Sequence, residues 1–430
     1  MKEFKKYILD NKVKVYLYSD KNLKRTYASY NVKFGSSGIY NDIYYKGERK
    51  TLPFGLAHFL EHTLIEHSMY GNLFEQFLKE GYETNGITYD EITTFYFLGL
   101  HNVKESIKKL IYMIDKPVFT KKDVEEVKYA VIDELKAKFD SEVSVLFSKN
   151  KRDSFSSIEL SHESNNQLGS VESTQSISYE DVQMAYDAYY YNANKILVIA
   201  GNFDEKEMLE YLNDIYKEIP IHEKQIEEVK HENLDDIRCS FSIIPWKTPT
   251  VDEVLVTYKI PNTFKINKAL LSDYLYMFNE LVIEPDSDFI KDLINKDLLS
   301  NTISDSIDFI TINNKEYILM QYLFKSKNYE QTLKRFEKEL TSKNLSKKRF
   351  YQIKKNILVE ALKKRDFIYN EFFRFPYKLY FTDKIDSTKN IEKMEFDQLI
   401  SIINSIKFNK KIVTLLRYDE KNSKDLQKKA

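Results

Sequence analysis

The order of strand-like and helical segments occurs twice along this 430-residue chain, once on each side of a polar stretch at residues 220–236. A chain of this length normally forms two domains of about 200 residues each. We therefore predict an N-terminal half at residues 1–222, a linker at 223–235 and a C-terminal half at 236–430. Because no residue-level repeat accompanies the shared order, only length and element order indicate an old duplication.

Apolar periodicity and turn residues predict the individual elements. Strands and helices occur in both halves, which predicts the α+β fold class. The predicted strands are 13–18, 26–34, 92–100, 196–200, 253–260 and 316–325. The predicted helices are 54–67, 72–80, 103–114, 121–138, 179–190, 268–283 and 286–297, with further helices to about residue 365.

Composition and charge exclude several classes of function. Hydrophobic residues make up 42% and charged residues 30% of the chain, as in a soluble globular protein, and the formal net charge is −1. No basic stripe indicates nucleic-acid binding, and no apolar run approaches the roughly 18–20 residues that cross a bilayer. Cys239 is the only cysteine, and the N-terminal residues lack the apolar run of a signal peptide. We expect a cytoplasmic protein, with a cysteine-poor exported protein as the alternative.

The pattern H-x-x-E-H occurs inside an apolar helical run, as His58, Glu61 and His62. Residues four apart lie one above the other on a helix, so both imidazoles can face one metal ion. A catalytic zinc needs about three protein ligands and an open position for water, and a nearby carboxylate takes the proton. We predict that His58 and His62 bind Zn²⁺ and that Glu61 is the general base, in the order of the inverted zinc-peptidase motif. The weaker alternative is a buried helix whose histidines bond to backbone groups.

A third ligand must come from elsewhere in the chain. The predicted helix 121–138 has an apolar stripe, formed by Val124, Val127, Val131 and Leu135. It also offers four carboxylates, those of Glu125, Glu126, Asp133 and Glu134. Glu134 lies at the edge of the stripe, and the other three point away from it. Since a carboxylate that faces a core is costly unless it is paired or binds metal, Glu134 is the best candidate, and an ordinary boundary glutamate is the alternative. His67 is predicted to be a surface residue.

The motif and the segments after it resemble, in order, those of the pitrilysin/insulinase/mitochondrial processing peptidase family, the inverted-motif zinc peptidases. Gly55–His62 is similar to the family's G-x-A-H-x-x-E-H block. Gly81, Asn85–Thr88 and Thr93–Tyr96 are similar to its G-x₃-N-A-x-T…T-x-Y block, and Val131–Glu134 resembles the segment that ends in the third zinc ligand.

The resemblance implies two homologous α/β halves, each a sheet with helices packed on one face, that close like a clam shell around a chamber for short or unfolded peptides. It also implies that the substrate adds as a strand beside the catalytic sheet. Asn85 and Gly86 would then bind substrate at that edge, with Gly86 standing where alanine is usual. Bacterial pairs of this kind resemble those that cut leader peptides from ribosomally made peptides.

Two departures from the family pattern matter. Val127 stands where a supporting glutamate is frequent, so that carboxylate is missing or is replaced by Glu126. Ser287–Thr302 aligns with S-R-L-F-x-x-L-R-E-x-x-G-L-A-Y-S, but Ile294 and Asn301 replace the arginine and the tyrosine that help to hold the substrate and the tetrahedral intermediate. Neither side chain can act as a cationic or phenolic donor to a developing oxyanion.

Two explanations remain open for these departures. A homologous partner subunit can supply the arginine and the tyrosine in a heterodimer, which we favour, or the chain is a weak enzyme. We expect a zinc-dependent endopeptidase, and the alternative is a non-catalytic subunit that binds peptides or supports assembly. Manganese or cobalt would suit the same ligands. The sequence leaves open the substrate, its cleavage site, and whether the partner is a homologue or a second copy.

Overall fold

The computed structural model describes residues 4–36, 40–89, 91–139, 141–154, 169–228, 240–246, 251–300, 302–312, 315–366, 372 and 391–418. These residues form two compact units. Unit 1 takes the described residues up to Ala137, those from Gly169 to Glu228, and Phe372. Unit 2 takes the other described residues.

The structure gives the following bounds for the strands and helices. The strands are β1 (Lys5–Ile8), β2 (Lys14–Ser19), β3 (Thr26–Val32), β4 (Asp42–Tyr45), β5 (Glu48–Thr51), β6 (Glu83–Thr88), β7 (Thr93–Gly99), β8 (Lys195–Gly201), β9 (Ile226–Glu228), β10 (Ser240–Trp246), β11 (Asp252–Pro261), β12 (Ser304–Ile312), β13 (Lys315–Ser326) and β14 (Lys411–Tyr418). The α-helices are α1 (Leu56–Glu66), α2 (Leu73–Lys79), α3 (Val103–Asp115), α4 (Lys121–Phe139), α5 (Glu142–Asp153), α6 (Val171–Ser176), α7 (Tyr179–Tyr189), α8 (Glu205–Lys217), α9 (Lys268–Ile283), α10 (Asp288–Asn295), α11 (Tyr329–Glu339), α12 (Lys347–Asp366) and α13 (Phe396–Ser405).

Unit 1 is built on a six-stranded sheet with the order β1-β2-β8-β3-β7-β6. Strands β2 and β8 run parallel, and every other neighbouring pair is antiparallel. The central strands β3 and β8 are buried along their whole length, as expected of strands covered on both faces. Among the described residues β6 forms one edge, so its outer backbone groups have no neighbouring strand in this sheet.

The core of unit 1 buries the apolar face of α1 among the strands and the other helices. Leu56, Phe59, Leu60 and Leu64, which the helical spacing marks as apolar, are at most 2% exposed. Helix α1 packs against β6, β7 and α7, which sets its polar residues beside the edge strand. The apolar stripe of α4 joins the same core.

Unit 2 repeats the sheet topology of unit 1. Its five strands have the order β10-β14-β11-β13-β12, with β10 and β14 parallel and the other pairs antiparallel. This matches β2-β8-β3-β7-β6 strand for strand, in order and in direction. The shared topology supports the predicted duplication, and the mixed α/β content of both units confirms the predicted fold class.

The division into units differs from the predicted one in three places, one of which is Phe372, a residue of the predicted C-terminal half that belongs to unit 1. Helix α5 precedes residue 222 but packs on β10, β11 and β14 of unit 2, because buried Asn150 donates to Leu255 O at 3.2 Å and to Thr414 Oγ1 at 3.1 Å. Within the predicted linker 223–235, Ile226–Glu228 forms β9 and pairs with β4, because Ile226 is buried. Residues 229–235 of that linker lie outside the described residues. None of the described helices is long and apolar enough to span a bilayer.

Candidate metal centre

Helix α1 brings the two motif histidines together. The helix begins after Gly55, whose φ of 82° lies in the left-handed region that favours glycine. One turn separates His58 from His62, and their ring centroids lie 4.6 Å apart. The His58 side chain is 9% exposed and that of His62 is 24% exposed, so His58 is the deeper of the pair.

Helix α4 delivers Glu134 to the same point. Glu134 Oε2 lies 3.5 Å from His58 Nε2 and 3.4 Å from His62 Nε2. The four stripe residues of α4 are fully buried and dock the helix. The Glu134 side chain, however, is 47% exposed, so the prediction that it faces a core is wrong. It lies on the open side of α4, and its length lets the carboxylate reach the histidines.

The distances from the Glu134 carboxylate oxygen to the two histidine nitrogens fit a zinc ion. Tetrahedral zinc with bonds of about 2.0–2.1 Å holds neighbouring donors about 3.4 Å apart. A direct hydrogen bond between an imidazole and a carboxylate would be shorter, at about 2.7–3.2 Å. Of the described residues, His58, His62 and Glu134 form one group whose ligand atoms all lie within 4.8 Å of one another. Two imidazoles and a carboxylate are also the donor set of many catalytic zinc sites.

A fourth residue, Glu66, supports this centre and was not predicted. Glu66 Oε1 lies 2.8 Å from His62 Nδ1. A hydrogen bond there fixes the imidazole tautomer and leaves Nε2 for a metal. The signal was present in the sequence, because Glu66 lies four residues after His62 on the same helix.

The pKa values of Glu61 and His62 are strongly shifted. Burial raises the pKa of Glu61 to about 7, although a hydrogen bond from Thr88 and the charge of His62 oppose it. Burial lowers the pKa of His62, but the carboxylates of Glu134 and Glu66 outweigh it and raise that pKa to about 10. Perturbed titratable groups of this kind cluster at functional sites.

The predicted substrate residues Asn85 and Gly86 lie on the edge strand β6. Successive strand residues point to opposite faces, and here Gly86 is the one that faces α1. An added Cβ at Gly86 would come within 2.4 Å of Glu61 Oε1. Asn85 is exposed. The structure therefore brings Gly86 against the predicted base and leaves the Asn85 side chain open on the edge.

A second group of possible ligands lies where α1 ends and α4 begins. His67 was predicted to be a surface residue, but its side chain is 20% exposed and its Nδ1 lies 3.2 Å from Asp123 Oδ1. Together with Glu126 these residues form a group within 4.8 Å. Asp123 also accepts a bond from Thr120 N at 2.7 Å, and Glu126 lies 3.1 Å from Lys122. Glu126 thus joins this second group, and Val127 beside it is fully buried.

Of the two residues that depart from the family pattern in the second half, Ile294 and Asn301, the structure describes only Ile294. Ile294 lies on α10 and is 48% exposed, so an apolar side chain is open to solvent where the family pattern has arginine. Asn301 lies outside the described residues.

In sequence and in structure, the chain is similar to proteins that are described as peptidases. A family model described as the peptidase M16 inactive domain matches residues 176–357, a span that begins after Glu134. The uncharacterized zinc protease YmfH of Bacillus subtilis (strain 168) is 28% identical over 275 residues, which cover 63% of this chain. The same alignment spans only 62% of the length of that relative.

Solved structures share the fold. A protein described as an M16-like peptidase from Alicyclobacillus acidocaldarius superposes with a TM-score of 0.84 at 19% identity, covering 97% of this chain and 99% of that chain. Pitrilysin superposes with a TM-score of 0.72 at 17% identity, covering 96% of this chain and 45% of that chain. These matches confirm the resemblance that the motifs indicate, and at this identity the structural ones show the fold alone.

Proposed function

We propose that this chain, a relative of the M16 zinc peptidases by sequence and by fold, is itself a zinc-dependent endopeptidase that cleaves short or unfolded peptides. The observation that carries the proposal is the donor triangle of His58, His62 and Glu134, with its spacings of 3.4 and 3.5 Å. Glu61 flanks the helix face of the two histidines, because it lies three residues after His58 and directly before His62.

Each residue of the site has a separate role in the proposed hydrolysis. His58, His62 and Glu134 would hold zinc, which lowers the pKa of a water molecule and polarises the substrate carbonyl. Glu61 takes a proton from the attacking water and returns it to the amine nitrogen of the leaving segment. Without zinc, burial raises the pKa of Glu61 to about 7. The positive charge of bound zinc would lower that pKa, so Glu61 would be ionised and able to accept a proton at neutral pH. The bond from Glu66 keeps His62 in the ligating tautomer.

Strand β6 supplies a binding edge for an extended peptide. An exposed sheet edge pairs with a peptide through main-chain hydrogen bonds, which need no particular side chain. Such binding suits unfolded segments and excludes folded ones. Within this proposal the exposed Asn85 side chain contacts the bound strand.

A partner subunit completes the site in this proposal. Ile294 cannot donate a hydrogen bond to an oxyanion, and a donor lost from such a site typically costs roughly 100- to 1,000-fold in kcat. We propose a homologous partner that supplies the arginine and the tyrosine. Leader segments of ribosomally made peptides are the substrate class to test first. A reducing, cytoplasmic setting belongs to the same proposal, because the chain has one cysteine.

A non-catalytic subunit that binds peptides or supports assembly is the second candidate. It is favoured by Ile294 and by the match of residues 176–357 to a model described as an inactive domain. The three intact ligand positions favour the peptidase.

The decisive experiment measures cleavage of an unstructured peptide by the zinc-loaded chain, alone and co-expressed with a homologue that carries the arginine and the tyrosine. Glu61→Gln should keep zinc, by elemental analysis, and lose roughly 100-fold or more of kcat, because the general base is gone. Glu75→Gln is the matched control, since Glu75 forms an exposed pair with Lys79. Wild-type turnover by Glu61→Gln would contradict the proposed role, and zinc retention without cleavage in every combination would favour the second candidate.

A further inference from the structure

The carboxylate of Glu61 is held by strand β6. Thr88 Oγ1 donates a hydrogen bond of 2.6 Å to Glu61 Oε2. Glu61 is 4% exposed and Thr88 is 6% exposed, so solvent hardly competes for this bond. Hydrogen bonds to an ionised carboxylate are shorter and stronger than neutral ones.

The direction of the Thr88 bond is set by its neighbour Thr93. Thr93 Oγ1 donates to Phe34 O at 2.8 Å and lies 3.2 Å from Thr88 Oγ1. A hydroxyl has one proton to donate. Since a carbonyl oxygen can only accept, the Thr93 proton is committed to Phe34, and the Thr88 proton is left for Glu61. Thr93 is fully buried, which fixes this order.

Gly86 closes the other side of the carboxylate. Residues 86 and 88 point to the same face of β6, because strand residues alternate. A Cβ on Gly86 would lie 2.4 Å from Glu61 Oε1, 2.9 Å from Glu61 Cδ and 2.7 Å from Ile65 Cδ1. The carboxylate therefore rests directly on the backbone of the strand, in a place that the alanine usual in the resembled block would fill.

We propose that Thr88 is a positioning residue for Glu61 and that the glycine at position 86 admits the carboxylate to this place. This inference rests on the proposed peptidase function. Thr88 orients one carboxylate oxygen, and Gly86 leaves the other the room to lie against the strand. One strand then does two things: its outer edge receives the peptide, and its inner face holds the base.

Kinetics and zinc content of variants test the role of Thr88. Thr88→Val removes the hydroxyl at nearly constant volume. It should lower kcat roughly 10- to 100-fold with KM and zinc content unchanged, because a base displaced by about 1 Å loses this much. Thr88→Ser keeps a hydroxyl and should restore most of kcat. Thr332→Val is the matched control, since Thr332 is fully buried in unit 2 and its hydroxyl also donates a hydrogen bond, to Leu298 O at 3.0 Å. A Thr88→Val enzyme with wild-type kcat would overturn the proposal.

Crystal structures of the zinc-loaded variants provide a readout that needs no activity. Thr88→Val should leave Glu61 in more than one rotamer, and Gly86→Ala should move its carboxylate by 1 Å or more. An unmoved Glu61 in both variants would overturn the proposal. If Glu61 moves as expected and even the wild type with its partner cleaves nothing, then the positioning holds and the peptidase function fails.

Discussion

At the residue scale, the carboxylates around His62 control the protonation of this ligand. The carboxylates of Glu134 and Glu66 flank His62, and they raise its pKa to about 10 against the opposing effect of burial. In the metal-free protein His62 is therefore protonated at neutral pH. Because a histidine must be neutral to bind a metal, zinc has to displace this proton.

Zinc binding should therefore release a proton and weaken as the pH falls. The raised pKa means that protonation of His62 stabilises the metal-free fold fully below the unfolded value of about 6.5, and this contribution is lost as the pH rises through about 10. Calorimetry of zinc binding at pH 8 in buffers of different ionisation enthalpy should show release of about one proton from His62. His62→Ala should lose that proton and most of the zinc affinity. Zinc binding without proton release would contradict the assignment of His62.

At the element scale, the centre depends on how α4 lies against α1. His58 and His62 share one helix, but Glu134 comes from another. Its side chain is 47% exposed, so the position of its carboxylate depends on where α4 lies. The four buried stripe residues of α4 and the contact between His67 and Asp123 set the position of α4. His67 is the residue directly after α1, and Asp123 lies in the first turn of α4. This contact therefore ties the end of one ligand helix to the start of the other.

Removal of the His67–Asp123 contact should make the position of α4, and with it that of Glu134, less well defined. His67→Ala is expected to weaken zinc affinity by up to about tenfold and to lower the free energy of unfolding by about 1 kcal/mol or less, as for a partly exposed pair. A competition titration with a chelator measures the affinity. Lys122→Ala is the control, because Lys122 and Glu126 form an exposed pair on the same helix. Equal losses of affinity in both variants would rule out a specific role for His67.

At the scale of the whole molecule, all three proposed zinc ligands lie in unit 1. The residues of helix α5 were predicted to belong to the N-terminal half, but the helix packs against the strands of unit 2. Asn150 is fully buried on α5. Its amide nitrogen donates to Leu255 O and Thr414 Oγ1, and its carbonyl oxygen accepts from Thr257 Oγ1, so this one residue joins α5 to strands β11 and β14. Stability of unit 2 and metal binding in unit 1 should therefore be separable.

Asn150→Ala should destabilise unit 2 without emptying the metal centre. Leaving buried partners unsatisfied costs about 1–3 kcal/mol, which urea denaturation can measure. Zinc content should stay at the wild-type level, because His58, His62 and Glu134 all lie in unit 1. Asn22→Ala, at an exposed position, serves as the control. Loss of zinc together with unit 2 stability would show that the units do not behave separately.

The sequence alone determined the parts of this protein that depend on near neighbours. Helical spacing placed His58 and His62 on one face of α1 with Glu61 beside it, and apolar runs located the central strands, because such patterns repeat within a few residues. Helices α5, α6, α8 and α13 were missed, as were strand β14 and the short or polar strands β1, β4, β5, β6, β9, β10 and β12. Strands β9, β10 and β14 pair with segments distant in sequence, and in the other missed strands polar side chains leave little local apolar pattern.

Only the tertiary structure decided how distant residues meet. Glu134 was named from its sequence position, but its carboxylate reaches the histidines because α4 docks through four buried side chains, and the expected core-facing position was wrong. The contacts of Thr88 and Gly86 with Glu61 follow from the register of β6 and from the packing of α1 against it. A local pattern fixes direction along one element, whereas the approach of two elements is set by the core that both help to fill.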